Sequence, residues 1–376
     1  MMTIAEESRC WLEIDLDALR KNWEIAKRLC PSGCTPIAVV KANAYGLGAE
    51  RVALELEKAG CTIFSTADIA EALSLRRAGV KSPVLLLGPI GAEQADLAME
   101  NDIITPVVDV AHASRLSAAA AAAGRELRTH IKIDVGLSRL GIPIPGREEA
   151  ALREVKEILA LPCLTNEALM THISGMMDPA MDYLNVEQLE RFAAFGRRLR
   201  DAGHPMKMHC ESSLLLLSHP EYGMDYVRLT SALLGIQPGY DALGAREIAG
   251  LKTRLLQIKT IPKGTSVGYW MTYVAPRDML LGIAGVGYGD GLIRSLTAGA
   301  EMFVRGCRVP VVGKLSMSFA ALDLTDVPGA AVGDTVTVFG PEEGAPSARD
   351  YAALYGGHPC EVTVMLKDGI PKVYLP

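Results

Sequence analysis

"PIAVVKANAYGLGAE", residues 36–50, runs five mostly apolar residues into a lysine and then into a turn of small residues. A short apolar run bounded by turn signals reads as a buried strand of the kind found in parallel sheets. Lys41 stands where that strand ends. Lysines in such places are usually solvated, so the strand end alone leaves two readings: a surface charge, or an amine held at a pocket mouth for covalent chemistry. The rest of the chain bears on the choice. From residue 35 to about 235, short apolar runs alternate with longer segments of helical spacing. The strand candidates are "PIAVV", "TIFSTA", "PVLLLG", "ITPVVD", "THIKID", "ALMTHI", "MKMHCE" and "YVRLT". Between them, "GAERVALELEKAG", "DIAEALSLRRAG" and "NVEQLERFAAFGRRLRDAG" carry helical periodicity, several with Gly at the stop. The alanine run in "RLSAAAAAAGREL" is plain helix. Eight strands, each followed by a helical or connecting segment, match the count of a (β/α)8 barrel, although an open doubly wound sheet also alternates.

After about residue 245 the texture changes. "LKTRLLQIKTI", "TSVGYWMTYVA", "MLLGIAGVGYG", "EMFVRGCRVPVVG", "FAALDLT" and "DTVTVFG" are short, β-rich and separated by Gly/Pro turns. The expected fold is α/β: an N-terminal (β/α)8 TIM-type barrel over residues 10–240, then a C-terminal mostly-β domain over 241–376. The strand in "CWLEIDLDAL", at about 10–16, is expected to pair with that second domain.

The bulk numbers narrow the function classes. The 376 residues are 49% hydrophobic and 22% charged, ordinary for a globular chain with a sizeable core. A net charge of −6 argues against nucleic acid or an anionic membrane as partner. The acidic start "MMTIAEESRC" lacks the apolar core of a secretory signal, and no apolar run is long enough to span a bilayer. The eight cysteines are scattered, with only Cys30 and Cys34 close in sequence, and no ligand spacing suggests a metal. A cytoplasmic protein with reduced thiols is expected.

Barrel enzymes build their sites at the C-terminal ends of the strands. Read in order, those ends carry Lys41, then Lys132 and Asp134, His172, Ser212 and Ser213, with Arg228 inside the last strand. Polar groups at so many strand ends point to one site.

These residues carry a resemblance. "AVVKANAYGLG" resembles the cofactor-lysine motif of alanine racemases, two-domain enzymes that use pyridoxal phosphate, and "HIKIDVGLSRLGI", "THISG", "HCESS", "VRLTSALLG", "VGYWMTYVAPRD", "GVGYGDGLIR" and "GKLSMS" follow in order. The resemblance implies pyridoxal 5'-phosphate as cofactor and a small amino acid, alanine first, as substrate. It also implies a homodimer whose site is completed across the interface. Lys41 would be the cofactor lysine and one of two bases, its amine lowered from an ordinary pKa of roughly 10.4. Racemisation needs a second acid/base on the opposite face, and Tyr269 of the partner subunit matches it, with Tyr273 a strand aromatic. Tyr45 matches the phosphate side, His172 the ring and Arg228 the pyridine nitrogen; Ser212, Thr230 and Ser231 stand where the pattern departs but carry hydroxyls suited to a phosphate. Arg139, Met317 and Tyr288 match the substrate side, where a guanidinium fork suits a carboxylate. Lys132 matches a lysine that is often carbamylated in the family and orients the arginine.

Several positions depart from the family pattern: Glu211-Ser212, Leu229-Thr230-Ser231, Leu234, Met317-Ser318, the spacing of Asp178, and Asp368-Gly369-Ile370-Pro371 where a phosphate-binding tyrosine is usual. They leave the proton-transfer residues in place but alter pocket and entryway, so serine or a broader amino-acid set is the alternative substrate. Competing classes are a non-catalytic pyridoxal phosphate carrier, a barrel-type decarboxylase, and a barrel using Lys41 directly on a carbonyl substrate. The β-rich second domain with Tyr269 counts against the carrier. The lack of a matching cysteine motif around Cys307 or Cys360 counts against the decarboxylase.

Overall fold

The computed structural model describes residues 7–175, 178–210, 212–222, 224–294 and 299–376; Glu211 lies outside the described residues. The chain divides into two compact units. One comprises residues 23–42 and 49–233, the other residues 1–22, 43–48 and 234–376. The first strand, β1 (Cys10–Asp15), belongs to the second of these.

The first unit is a parallel barrel. Its strands are β2 (Thr35–Val39), β3 (Phe64–Thr66), β4 (Val84–Leu86), β5 (Ile103–Val107), β6 (Leu127–Asp134), the two-residue β7 (Ile142–Pro143), β8 (Leu164–Met170), β9 (Lys207–His209) and β10 (Tyr226–Leu229). They pair in parallel in the order β10-β2-β3-β4-β5-β6-β8-β9, with β7 on the side of β6. The ring nearly closes between β9 and β10: the Asp225 N–H donates to the Met208 carbonyl at 3.1 Å, and Ser212 bridges Arg228 in parallel. All eight strands anticipated from the apolar runs are present, because strands covered on both faces need apolar residues throughout. Ile37, Ile63, Leu85 and Ile104 pack together with Tyr226, each buried aliphatic side chain contributing about 1.5–3 kcal/mol. The helices between strands stop where their punctuation says. Asp68 caps Ile69–Ala78 by accepting the Glu71 N–H, and Gly79 ends it at φ 100°. The alanine-rich helix Val110–Ala123 is capped by Asp109 and stopped by Gly124.

The second unit is mostly β. Strands β11 (Ala249–Ile261), β12 (Ser266–Val267), β13 (Tyr273–Val274), β14 (Met279–Ala284), β15 (Glu301–Val304), β16 (Cys307–Pro310), β17 (Ala320–Asp323), β18 (Thr335–Phe339) and β19 (Lys372–Leu375) build it. The main sheet runs β16-β15-β18-β11-β1-β19, and the long β11 continues onto β14 and β17. β1 lies antiparallel to β11 and parallel to β19. Ile261, Val267, Ala275, Met279, Leu281 and Val312 form a core beneath the β12–β13 hairpin. Two six-residue helices, Ala348–Ala353 and Pro359–Val364, also belong to this unit. The sequence reading missed them; helices that short carry less than two turns of periodicity and depend on tertiary packing.

The residues after Lys41 take an unusual path. Ala42, Asn43, Ala44 and Tyr45 have φ between 50° and 56°, so the helical turn Lys41–Tyr45 is left-handed. Each such residue costs about 1–2 kcal/mol relative to a right-handed turn. Gly46 continues it at φ 85°, and a Cβ there would sit 2.4 Å from the Thr363 carbonyl oxygen. The Tyr374 hydroxyl donates to the Leu47 carbonyl at 2.9 Å, and Asn43 Nδ2 lies 3.4 Å from Asp368 Oδ1. Gly46→Ala is therefore expected to destabilise the protein by about 2 kcal/mol or more. Gly33→Ala, at the same φ of 85° but with nothing within 4 Å, should cost about half as much. Urea unfolding of the two variants compares them, and equal shifts would show that the approach to Thr363 is not a constraint.

Candidate active site

Alternate residues of a strand share one face. On β6 this puts Arg128, His130 and Lys132 together, on β9 Lys207 and His209, and on β10 Tyr226 and Arg228. The rings confirm the shared interior: His130 and His209 centroids lie 5.0 Å apart, and His209 and Tyr226 5.6 Å.

At the C-terminal ends of these strands, Arg228 is buried with 6% exposure. One terminal nitrogen donates to His209 Nδ1 at 2.6 Å; the other donates to the Thr171 carbonyl at 2.7 Å and lies 3.3 Å from both His172 Nδ1 and the Cys210 carbonyl. No carboxylate pairs with it among the described residues. Its acceptors are neutral imidazoles and strand-end carbonyls, and burial pushes its pKa down to about 10. Lys132 is 4% exposed. Burial, then Arg228, Arg139 and Lys41, pushes its amine down to about 7 against the pull of Asp134. Burial and the same cations take His172 to about 3, so its imidazole is neutral. Asp134 is largely engaged by the following turn: its Oδ1 accepts the N–H groups of Gly136 and Ser138. That turn leads to Arg139, which is exposed. Gly141 follows at φ 112°, where a Cβ would sit 2.6 Å from the Lys132 carbonyl oxygen. Lys41, Lys132, Arg139 and Arg228 thus share one electrostatic neighbourhood, which favours an anionic ligand.

Glu71 fixes the residue after Lys41. Its two carboxylate oxygens accept the Ala42 N–H at 2.6 Å and the Ala67 N–H at 2.8 Å, tying together the exits of β2 and β3. Sequence reasoning did not single out Glu71, although Asp68-x-x-Glu71 is a legible helix-start signal. Beyond β10, Ser213 Oγ accepts the N–H groups of Thr230 and Ala232 at 3.0 and 3.2 Å, shaping the loop of Thr230 and Ser231. Ser212 precedes the helix Ser213–Ser218 in extended conformation, its hydroxyl making no cap bond.

The second unit holds candidate residues of its own. Tyr269 opens a 3-10 turn, Tyr269–Met271, at the tip of the β12–β13 hairpin, where an uninterrupted strand was expected. Tyr269, Trp270 and Met271 are exposed, at 56%, 71% and 71%. Trp270 is held by Lys314, whose Nζ lies 3.9 Å from the ring centroid, and by Arg294, which also covers Tyr288 at 5.4 Å. Tyr273 is a strand residue of β13. Tyr45 is half-buried in the left-handed turn. Tyr288 and Met317 lie on touching loops: Gly289 donates to the Met317 carbonyl at 2.7 Å and Tyr288 to the Ser316 carbonyl at 3.1 Å. Met317, whose side chain alone suggests core, is 60% exposed. A cavity of about 410 Å³ lies against it, lined also by Arg9, Asp290, Ser318 and Lys367. Arg9 pairs with Asp290 and donates to the Gly285 carbonyl at 2.6 Å, anchoring the Tyr288 turn.

A parallel barrel with a lysine at a strand end and a cationic rim, followed by a β-rich unit, defines a class of two-domain barrel enzymes. Residues 14–238 match the family model "Alanine racemase, N-terminal domain" and residues 248–374 match "Alanine racemase, C-terminal domain". The alanine racemase of Desulfosudis oleivorans is 36% identical over 375 residues, 97% of this chain and 96% of that relative. That of Geobacter sulfurreducens is also 36% identical, over 96% of each chain. Among solved structures, an alanine racemase from Clostridium difficile superposes with a TM-score of 0.90 at 27% identity, covering 100% of this chain and 97% of that one. The Bacillus anthracis alanine racemase with bound L-Ala-P gives 0.88 at 28% identity, covering 98% and 95%. The chain belongs to the alanine racemase family.

The Lys132 amine supplies a test independent of turnover. Its folded pKa of about 7 lies below the unfolded value of 10.5, so the unfolded chain binds more protons between these limits. The burial penalty is complete below about pH 7 and disappears as pH approaches 10.5. Lys132→Met in carbon-dioxide-free buffer is therefore expected to raise stability at pH 6 and to lose that advantage steadily by pH 10. Urea midpoints of variant and wild type across that range check it.

Proposed function

We propose that this protein racemises alanine by two-base proton transfer, with pyridoxal 5'-phosphate as cofactor, as a cytoplasmic homodimer. The observation that carries the reading is the placement of Lys41 at the end of β2, in the same electrostatic neighbourhood as Arg228, Arg139 and Lys132. A nucleophilic amine among cations, beside backbone N–H groups and small hydroxyls, fits an aldehyde that bears a phosphate. When bound, the cofactor supplies an electron-withdrawing ring that acidifies the substrate α-proton. Lys41 holds the cofactor and serves as base at the α-carbon on one face. The partner subunit's Tyr269 serves the opposite face; its exposure at a hairpin tip supports a role completed by a second copy.

Tyr45, Ser212, Thr230 and Ser231 are assigned to the phosphate, His172 to the ring face and Arg228 to the pyridine nitrogen. A donor-only guanidinium beside that nitrogen keeps it unprotonated. Arg139, Tyr288 and the Met317 N–H, which makes no hydrogen bond among the described residues, are assigned to the substrate carboxylate. Lys132 is assigned as a carbamate that orients Arg139. An amine at about pKa 7 is largely neutral at physiological pH, the form that adds to carbon dioxide, and three cations stabilise the resulting anion. In this reading residues 10–240 are the cofactor domain and 241–376 the β domain.

Purified protein is expected to absorb visible light and to exchange the α-hydrogen of alanine with inversion in deuterated water. Serine belongs in the same panel, because Ser318 replaces an acidic residue of the family pattern. Absorbance without exchange on any amino acid overturns the racemase in favour of a carrier. Lys41→Ala should abolish the absorbance. Tyr269→Phe should slow abstraction from one enantiomer by about a hundredfold or more, and from the other far less; equal, small effects on both refute its assignment. Labelled bicarbonate should give a carbamate carbon signal that Lys132→Met removes.

A further inference from the structure

Beneath Arg228 the barrel holds a column of polar side chains that the reaction does not touch. Arg228 Nη1 lies 2.6 Å from His209 Nδ1, and His209 Nε2 lies 2.9 Å from His130 Nδ1. Both imidazoles are fully buried. His130 Nε2 is buried with no hydrogen-bond partner among the described residues, and the Glu167 carboxylate oxygen is 3.7 Å away. Glu167 is held in turn by Arg128, with contacts of 2.5 and 3.2 Å.

Chemistry fixes the direction of every proton in this column. A guanidinium has donors only, so His209 Nδ1 must accept and the neutral ring carries its proton on Nε2. That proton is donated to His130 Nδ1, which leaves the proton of His130 on Nε2, aimed at Glu167. Burial, then Arg228, holds His209 well below the usual imidazole range. Burial also lowers His130, opposed by Glu167. Burial raises the Glu167 carboxyl, but His130 and Arg128 outweigh it and bring it to about 2. A cation stands at one end, an anion at the other, and two neutral rings between them carry dipoles of one sense.

We propose that Glu167 is a positioning residue for Arg228, acting through His130 and His209. The carboxylate holds His130 as the Nε2–H tautomer, His130 holds His209 in the same tautomer, and His209 Nδ1 is thereby an obligate acceptor for Arg228. Were His130 to adopt the other tautomer, its Nδ1–H would face the Nε2–H of His209 and turn that ring over as well, leaving an N–H of His209 facing the guanidinium and pushing it out of register. The two charged ends impose the same orientation, so the barrel interior sets the position of the rim arginine. The catalytic meaning of this rests on the assignment of Arg228 to the cofactor ring, whereas the column itself is independent of which amino acid is turned over.

The test is nitrogen NMR of the full-length protein labelled at histidine and arginine. His130 and His209 are both expected as Nε2–H tautomers, and Glu167→Gln is expected to mix the His130 tautomers and speed Arg228 side-chain proton exchange about tenfold. Either ring found as Nδ1–H or as imidazolium in the wild type overturns the proposal. Unchanged tautomers and exchange in a folded E167Q overturn it equally. Should that variant not fold, Glu167→Asp, which withdraws the carboxylate by one methylene, takes its place with the same outcomes. A disturbed column with racemisation unchanged would instead count against the assignment of Arg228 to the cofactor ring.

Discussion

A guanidinium buried without a carboxylate partner among the described residues sets the terms for this barrel. Arg228 cannot shed its proton at neutral pH, and a buried charge is costly unless every donor finds an acceptor. The acceptors come from where the strands stop. β8 ends at Met170 and β9 at His209, so the carbonyls of Thr171, His209 and Cys210 lie at or past the ends of the ladder and can turn toward the arginine. A carboxylate in their place would have neutralised the rim. Neutral acceptors instead leave its positive potential available, which lowers Lys132 and His172 and draws an anionic ligand.

The second cost is met in the other unit. Four consecutive residues in left-handed conformation, Ala42 to Tyr45, would unwind in isolation. Packing against Thr363, Tyr374 and Asp368 offsets that strain. On the barrel side, Glu71 holds the Ala42 N–H. The backbone on either side of the lysine's exit is therefore held by different means: parallel ladder bonds before it, a carboxylate clamp and a strained turn after it. Rigid support of that kind is what the proposed attachment of a cofactor at Lys41 requires.

The barrel was legible because strands buried on both faces must be apolar runs of strand length, and the eight runs were interrupted by capped helices. The family was legible through motifs in order along the chain. What escaped was information held in the register between strands. His130 and His209 are ordinary strand residues in sequence; only the pairing of β6, β8 and β9 brings their rings to 2.9 Å. Glu71 was not singled out because its acceptor role depends on where β2 and β3 end. "KANAYG" carries no composition cue for a left-handed turn, since alanine and tyrosine seldom adopt one. The Met317 side chain taken alone suggests core, yet the residue is exposed, on a loop packed against Gly287 and Gly289.

The sheet of the second unit has a consequence for the order of synthesis. β1 precedes every barrel strand in the chain, yet it lies between β11 and β19, which follow all of them. Residues 23–233 contain every strand of the barrel and can compact while translation continues. β1 must wait for partners that do not yet exist, with apolar Trp11, Leu12 and Ile14 exposed until β11 emerges. During that interval the nascent chain carries an unpaired strand edge, a target for chaperones and for neighbouring nascent chains alike. Completion of the sheet is thus a clock: β1 is sealed on both edges only once β19 has been made.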